Sequence, residues 1–351
     1  MTKKILAVLA HPDDESFGLG GTLALYKQRG FETYYVCATR GEAGSADAEF
    51  MTGYKDTAEM RTDELMRAAK ELGLKEVIFL GYRDSGMPGM DANQHPDAQI
   101  NHPIEEVAGK VVKYIREIKP DIVITFDPIG GYKHPDHIHI HRATVMAFAN
   151  SDDETFYPES GEAFKPQALY FQVFPRGFLK AMTRIMPLIG KDPTKWGRNG
   201  DINLKELAEV DFPVHVRVHT RSVSEIKARA SAQHASQGGI QMRRGLMGFI
   251  IKVFGEREDF MRAYPPIPGG FERKSDLFDM ELGRQYKRHL VRMFRLMIGC
   301  GNFHGTDSVR RRMACLKNVP PREKSSTCIC GFLMTIRKRS LVIWWRSVRS
   351  A

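Results

Sequence analysis

The sequence predicts an α/β protein of the Rossmann-like, doubly wound kind, with a mostly parallel sheet and helices on both faces. Three observations carry that reading. Residues 1–150 alternate short apolar or β-branched runs with longer stretches of helical period. Turn residues punctuate the alternation, as in Gly30, Gly73 and Pro120. Two clusters of His and Asp directly follow two of the apolar runs, where sheets of this kind gather functional groups.

In order, residues 3–10 (KKILAVLA) predict a buried strand and residues 16–29 a helix ended by Gly30. Residues 31–39 (FETYYVCAT) read as a second strand, 41–53 as a polar loop, and 57–72 as an amphipathic helix closed by Gly73. A third strand is expected over 76–81, before the loop YRDSGMPGM, then a helix over 104–118 and a fourth strand over 121–126 (DIVITF). Further on, 167–174 and 212–219 read as strands and 222–236 as a helix. Segments 178–188 and 244–254 mix apolar residues with Lys and Arg, and are expected to be helices packed on the body. An amphipathic stretch over 277–295 leads into the last part of the chain.

The net charge of +10 suggests nucleic-acid binding until its location is examined. Residues 291–351 carry 13 Lys+Arg against 2 Asp+Glu, which leaves 39 against 40 for residues 1–290. The body is therefore not basic, and no nucleic-acid partner is expected for it. Residues 1–290 read as the functional domain and 291–351 as a basic, cysteine-containing tail without helical or strand period. The cysteine spacings match no common zinc framework. A six-residue apolar run before His11 is too short for a signal peptide or a span, so a cytoplasmic protein with no transmembrane segment is expected. Oligomeric state is left open, a homo-oligomer included.

The chemistry concentrates in His11-Pro12-Asp13-Asp14-Glu15 after the first strand and in Gly130-Gly131-Tyr132-Lys133-His134-Pro135-Asp136-His137 after the fourth. One such motif is most simply a helix start, with a proline in the first turn and an acid near the dipole. Two of them after predicted parallel strands reverse that judgement. In a sheet of order 3-2-1-4-5 the first and fourth strands are neighbours, so both clusters face one crevice at the switch point. Imidazoles and carboxylates without thiolates suit Zn²⁺, or Fe²⁺ and other divalent ions where these are available. His11, Asp14 and His137 supply a two-His-one-carboxylate set with an open position for water. Asp13 and His134 then remain free for proton transfer and for donation to an oxyanion. Asp136 and Glu15 read as capping or supporting groups, His141 as sharing the face of His137, and His139 as a surface residue.

These residues resemble the LmbE-like or PIG-L family of metal-dependent N-deacetylases. The resemblance rests on AHPDDE followed by SFGLGGTLAL and on GGYKHPDHIHIH. It extends to Arg61-x-x-Glu64-Leu65, to Tyr82-Arg83-Asp84-Ser85-Gly86-Met87 and to His234-Ala235-Ser236-Gln237. It implies zinc ligands at His11, Asp14 and His137, a general base at Asp13, and oxyanion stabilisation by a protonated His134. It also implies a mobile helper at Tyr132 and sugar contacts from Arg61 and Asp84. The implied reaction is hydrolysis of the N-acetyl amide of a GlcNAc-type amino-sugar compound, releasing acetate and the free amine. Two alternatives stand beside it: an amidase acting on thiol conjugates of a glucosaminyl compound, and a non-hydrolytic nucleotide-binding module. The second conflicts with the first turn, where two carboxylates occupy the place a pyrophosphate needs bare amides. No role is assigned to His234.

Overall fold

A computed structural model describes residues 2–174, 176–197, 200, 202–240, 256–267 and 272–280. The strands are β1 (Lys4–Leu9), β2 (Glu32–Cys37), β3 (Glu76–Phe79), β4 (Ile122–Phe126), β5 (Ala168–Val173), β6 (Val216–His219) and β7 (Arg257–Tyr264). The helices are α1 (Asp14–Gln28), α2 (Thr57–Leu72), α3 (Ile104–Ile118), α4 (Gly130–Lys133), α5 (Pro135–Asn150), α6 (Arg176–Ile185), α7 (Leu204–Leu207) and α8 (Ser224–Gln233).

The strands form one sheet of order β3-β2-β1-β4-β5-β7-β6, in which β3 through β5 are parallel and β7 and β6 antiparallel. The predicted 3-2-1-4-5 order is thus present, extended by two strands. Ile5 to Leu9 of β1 are fully buried, the near-continuous apolar pattern of a strand covered on both faces. α2 begins where Asp56 accepts a hydrogen bond from Glu59 N and ends at Gly73, whose φ of 70° favours glycine.

Several expectations are corrected. Residues 257–264 form a strand that the sequence pattern concealed, because REDFMRAY is rich in charge. Glu258 and Asp259 are nevertheless buried: Asp259 takes a two-pronged ion pair from Arg217, and Glu258 one from Lys227. The helix expected over 222–236 is shorter, with single 3₁₀ turns at Arg221–Val223 and Ala235–Gln237 flanking α8. Only Val216–His219 of the strand expected over 212–219 pairs in the sheet. Segment 178–188 divides between α6 and a 3₁₀ turn at Met186–Ile189. Its Met182 and Met186 form a small separate core with Leu204 and Leu207, against which Tyr132 packs. Segment 244–254 and most of 277–295 lie outside the described residues. Among the described residues, no helix is long and apolar enough to cross a membrane.

Candidate metal centre

β1 and β4 lie side by side in register Leu6↔Val123, so the loops leaving their carboxyl ends meet. One loop carries His11 to the start of α1, and the other carries His134 and His137 to the start of α5. His11 Nδ1 and His137 Nε2, 126 residues apart in sequence, come within 3.1 Å. Asp14 completes a triangle, its Oδ2 3.6 Å from His11 Nδ1 and its Oδ1 3.5 Å from His137 Nε2. The groups expected to hold a metal therefore converge at the switch point.

The other ring nitrogens decide what can sit between them. His137 Nδ1 lies 3.2 Å from the Gly130 carbonyl, which only accepts, so Nδ1 carries the hydrogen and Nε2 presents a lone pair. Its ring stacks on Phe126 with centroids 3.8 Å apart and planes at 9°, which fixes its direction. His11 Nε2 faces Asp136 Oδ2 at 3.1 Å and Asp84 Oδ1 at 3.4 Å, so a hydrogen belongs there; Nδ1 offers a lone pair to a cation when the ring is neutral and donates to His137 Nε2 when it is protonated. The 3.1 Å contact therefore holds either a proton shared by the two rings or, with both rings neutral, a cation between their lone pairs. Ligands at ~2.05 Å in tetrahedral array are separated by roughly 3.3 Å, and the observed edges lie close to that value.

The described residues contain two groupings able to hold a metal ion: His11, His134 and His137, and His11, Asp84, His134 and Asp136. Hydrogen bonding argues against His134 as a ligand in either. Its Nδ1 accepts from Asp136 N at 3.2 Å, capping α5, so Nε2 carries the hydrogen and is a donor. Asp136 is likewise committed, accepting from Ser85 N and Ser85 Oγ as well as facing His11. The remaining donor atoms are His11 Nδ1, His137 Nε2 and the Asp14 carboxylate.

Electrostatics follow from burial. Burial raises Asp14 to about 7 despite the opposing pull of His11, so this carboxylate gains from a cation beside it. Burial also raises Asp13, partly offset by Arg61. Burial would lower His11, but the carboxylates of Asp84, Asp136 and Asp14 hold it well above the usual histidine value. For Asp84 burial works upward and is overcome by His11, leaving it strongly lowered. Burial and neighbouring His11 push His134 down to about 3, which favours the neutral ring over the expected imidazolium, with Nε2 as the donor. Burial raises the Tyr132 phenol well above its ordinary value, so it keeps its hydrogen.

Asp13 sits at the N-cap of α1 with φ 115° and ψ −30°, a conformation costing of order 1–3 kcal/mol in a non-glycine residue. Its Oδ2 accepts from Arg61 Nη2 at 2.9 Å. Arg61 is buried and also donates to the carbonyls of Pro12 at 2.6 Å and Gly41 at 3.3 Å, so it anchors the first motif rather than pairing on a solvated helix face. Asp84 is committed to the amides of Gly86 and Ala43 and to His11, and it borders the centre without an unoccupied oxygen. Tyr132 lies on the kinked α4 turn, its ring 4.9 Å from that of His137 and 5.9 Å from that of His134.

His139 is a further correction. It is buried, with Nε2 3.0 Å from the His102 carbonyl. His141 is buried on the opposite side, with Nδ1 2.8 Å from the Phe126 carbonyl, and pins the end of β4. Sequence reasoning gave no role to Ser85, although it lies in the quoted Tyr82–Met87 stretch, or to Phe126, which nothing in its local sequence marks; they hold Asp136 and His137. It also missed Gly130, whose carbonyl sets the His137 tautomer. A Cβ on Gly130 would stand 2.8 Å from His137 Cβ and from Ile138 N, at a φ of 66°. Gly130→Ala is therefore expected to leave a folded protein with metal affinity about 10- to 100-fold weaker, the usual scale for a disturbed supporting contact, read by competition with a chelating dye. Unchanged affinity would show that the Gly130 carbonyl does not set the ligand.

Comparison with known proteins places this geometry in a family. Residues 6–148 match the family PIG-L, GlcNAc-PI de-N-acetylase. A 1D-myo-inositol 2-acetamido-2-deoxy-alpha-D-glucopyranoside deacetylase of Streptomyces scabiei is 35% identical over 252 residues, 67% of this chain and 76% of that protein. The protein of the same name from Thermobifida fusca is 36% identical over 295 residues, 79% of this chain and 99% of that one. Among solved structures, N,N'-diacetylchitobiose deacetylase from Pyrococcus horikoshii superposes with a TM-score of 0.52 at 21% identity, covering 74% of this chain and 83% of that chain, which shows the shared fold. The chain belongs to the PIG-L family of N-deacetylases.

Proposed function

We propose that the protein is a zinc-dependent N-deacetylase that hydrolyses the acetamide of a glucosaminyl-inositol compound, with Fe²⁺ able to replace zinc, and that His11, Asp14 and His137 hold the metal. The observation that best supports it is the pair of imidazole nitrogens 3.1 Å apart closed by the Asp14 carboxylate, beside a second, half-buried carboxylate, Asp13, that is not part of the triangle. The substrate class comes from the names of the relatives, which agree on an N-acetylglucosamine linked to inositol. A divalent ion bound there would supply Lewis acidity and a water whose pKa falls towards about 7.

The chain's own groups account for the remaining steps. Asp13 accepts the proton of the attacking water and returns it to the leaving amine; its raised pKa suits both transfers. His134 Nε2–H donates to the oxyanion without needing a positive charge, and Tyr132 borders the same space with its hydroxyl intact. Arg61 holds Asp13 and keeps it ionised between transfers. Asp84 is proposed to orient the sugar indirectly, by fixing the loop amides of Ala43 and Gly86 at the rim.

A panel assay tests the substrate class. The metal-loaded protein should release acetate and primary amine in equal amounts from 1D-myo-inositol 2-acetamido-2-deoxy-α-D-glucopyranoside, and more slowly from free N-acetylglucosamine. Release of a larger acyl group from a thiol conjugate, with none from the acetamides, would replace this reading by the amidase. His134→Asn keeps an oxygen acceptor for the α5 cap and removes the aimed donor. It should cost about 100- to 1000-fold in kcat with both limbs of the pH profile in place. A basic limb that disappears would show that His134 works as an imidazolium.

A further inference from the structure

Glu15 and His234 are both fully buried, lie 219 residues apart, and meet with His234 Nε2 2.7 Å from Glu15 Oε1. The other Glu15 oxygen, Oε2, accepts the backbone N–H of Asp13 at 3.0 Å. Ser16 Oγ also donates to Glu15, and Phe17 sets its ring edge-on to His234 with centroids 5.8 Å apart at 70°. None of these groups has a part in the reaction steps above.

The arrangement inverts an ordinary helix cap. An aspartate at an N-cap normally turns its carboxylate onto the first free amides of its own helix. Asp13 occupies that position in α1 and makes no such bond. Glu15 instead reaches back to the Asp13 N–H, like the acid of a capping box but from one position earlier, N2 rather than N3, and the Asp13 carboxylate is left to face Arg61. Asp13 keeps its left-handed φ of 115° although it has a side chain, so its surroundings must fix it. The end of α8 does this from two sides. His234 holds Glu15, and two residues on, Ser236 gives its N–H and its hydroxyl to Glu64 at 2.8 Å each. Glu64 lies one helical turn from Arg61, which grips Asp13 and the Pro12 carbonyl.

We propose that Glu15 and His234 are positioning residues: the pair fixes the Asp13 backbone so that its carboxylate stays turned from the helix and towards the metal centre. The catalytic part of this inference rests on the deacetylase reading; the conformational part does not.

The test uses the full chain, metal-loaded, with Glu15→Leu, Glu15→Gln and His234→Asn. Glu15→Leu removes both bonds. Asparagine at 234 is too short to reach Glu15. Glutamine at 15 keeps an oxygen for the Asp13 N–H and can donate its amide to His234 Nε2, since His234 Nδ1 has no partner among the described residues and is able to take the ring hydrogen. Metal content, amide hydrogen exchange of the peptide spanning 12–16, and kcat and KM for acetate release are measured on each. In Glu15→Leu and His234→Asn, exchange in 12–16 should rise and kcat fall about 100-fold, the scale of a misplaced catalytic group, at unchanged KM and full metal content. Glu15→Gln should recover most of both losses. Should Glu15→Leu fail to fold, His234→Asn carries the same expectations. Unchanged exchange and kcat in His234→Asn would overturn the proposal, as would equal damage from Glu15→Gln and Glu15→Leu. If the wild type releases no acetate, the deacetylase reading fails while the exchange data still decide whether the pair holds Asp13.

Discussion

His11→Ala, Asp14→Ala and His137→Ala are each expected to purify without stoichiometric metal and to lose deacetylation altogether. A catalytic centre of this kind has three protein ligands and one open position. With one ligand gone, the remaining two form only one edge of the triangle of 3.1, 3.5 and 3.6 Å. The His137 change should be the most selective, because its ring is held by Phe126 and Gly130 and little else depends on it. Asp14→Ala carries a second consequence whose sign can be worked out. The folded-state pKa of Asp14 is raised to about 7, so in the metal-free protein the ionised carboxylate costs stability as pH rises from the unfolded carboxylate value through 7. Metal-free Asp14→Ala should therefore resist thermal unfolding at pH 8 better than the metal-free wild type, with the difference shrinking towards pH 4. Full metal content in any of the three variants would refute the ligand set.

Asp13→Asn is expected to keep its metal and lose at least about 100-fold in kcat, the usual scale for removing a general base. The amide is isosteric and still offers an oxygen to Arg61 Nη2, so the backbone conformation and the first-motif contacts persist. Only the capacity to accept a proton disappears. A KM near the wild-type value alongside the lowered kcat identifies a group acting in the transition state rather than in substrate binding. Wild-type turnover in this variant would make Asp13 structural and leave the strained φ of 115° without a catalytic reason.

Much of this architecture was legible in the sequence where local chemistry dictates it. The bounds of α2 follow from Asp56 and Gly73, and those of α3 from Pro103 and the Lys119-Pro120 stop; both helices agree with the sequence reading to the residue. The meeting of His11 with His137 followed from two motifs after parallel strands that the topology makes neighbours. What escaped was whatever depends on distant partners. β7 was concealed because its buried acids depend on distant partners: Glu258 on Lys227 and the amides of Gly21 and Thr22, and Asp259 on Arg217. His139 was expected at the surface because its partner, the His102 carbonyl, belongs to the loop before α3. The support of His11 by Asp84, and of Asp136 by Ser85, depends on how the loop after β3 folds back, which no periodicity reports. His234 was noticed as part of a motif and given no task, since Glu15 lies at the other end of the domain in sequence.

The most direct test is a titration of chelator-treated protein with Zn²⁺, following acetate release from 1D-myo-inositol 2-acetamido-2-deoxy-α-D-glucopyranoside together with bound metal. Activity should be absent without metal, rise in proportion to occupancy, and reach its plateau at one ion per chain. The same titration of His137→Ala should show neither binding nor activity in that range. Acetate release at the plateau rate from protein shown to be free of any divalent metal would contradict the account, as would a stoichiometrically loaded protein that releases no acetate.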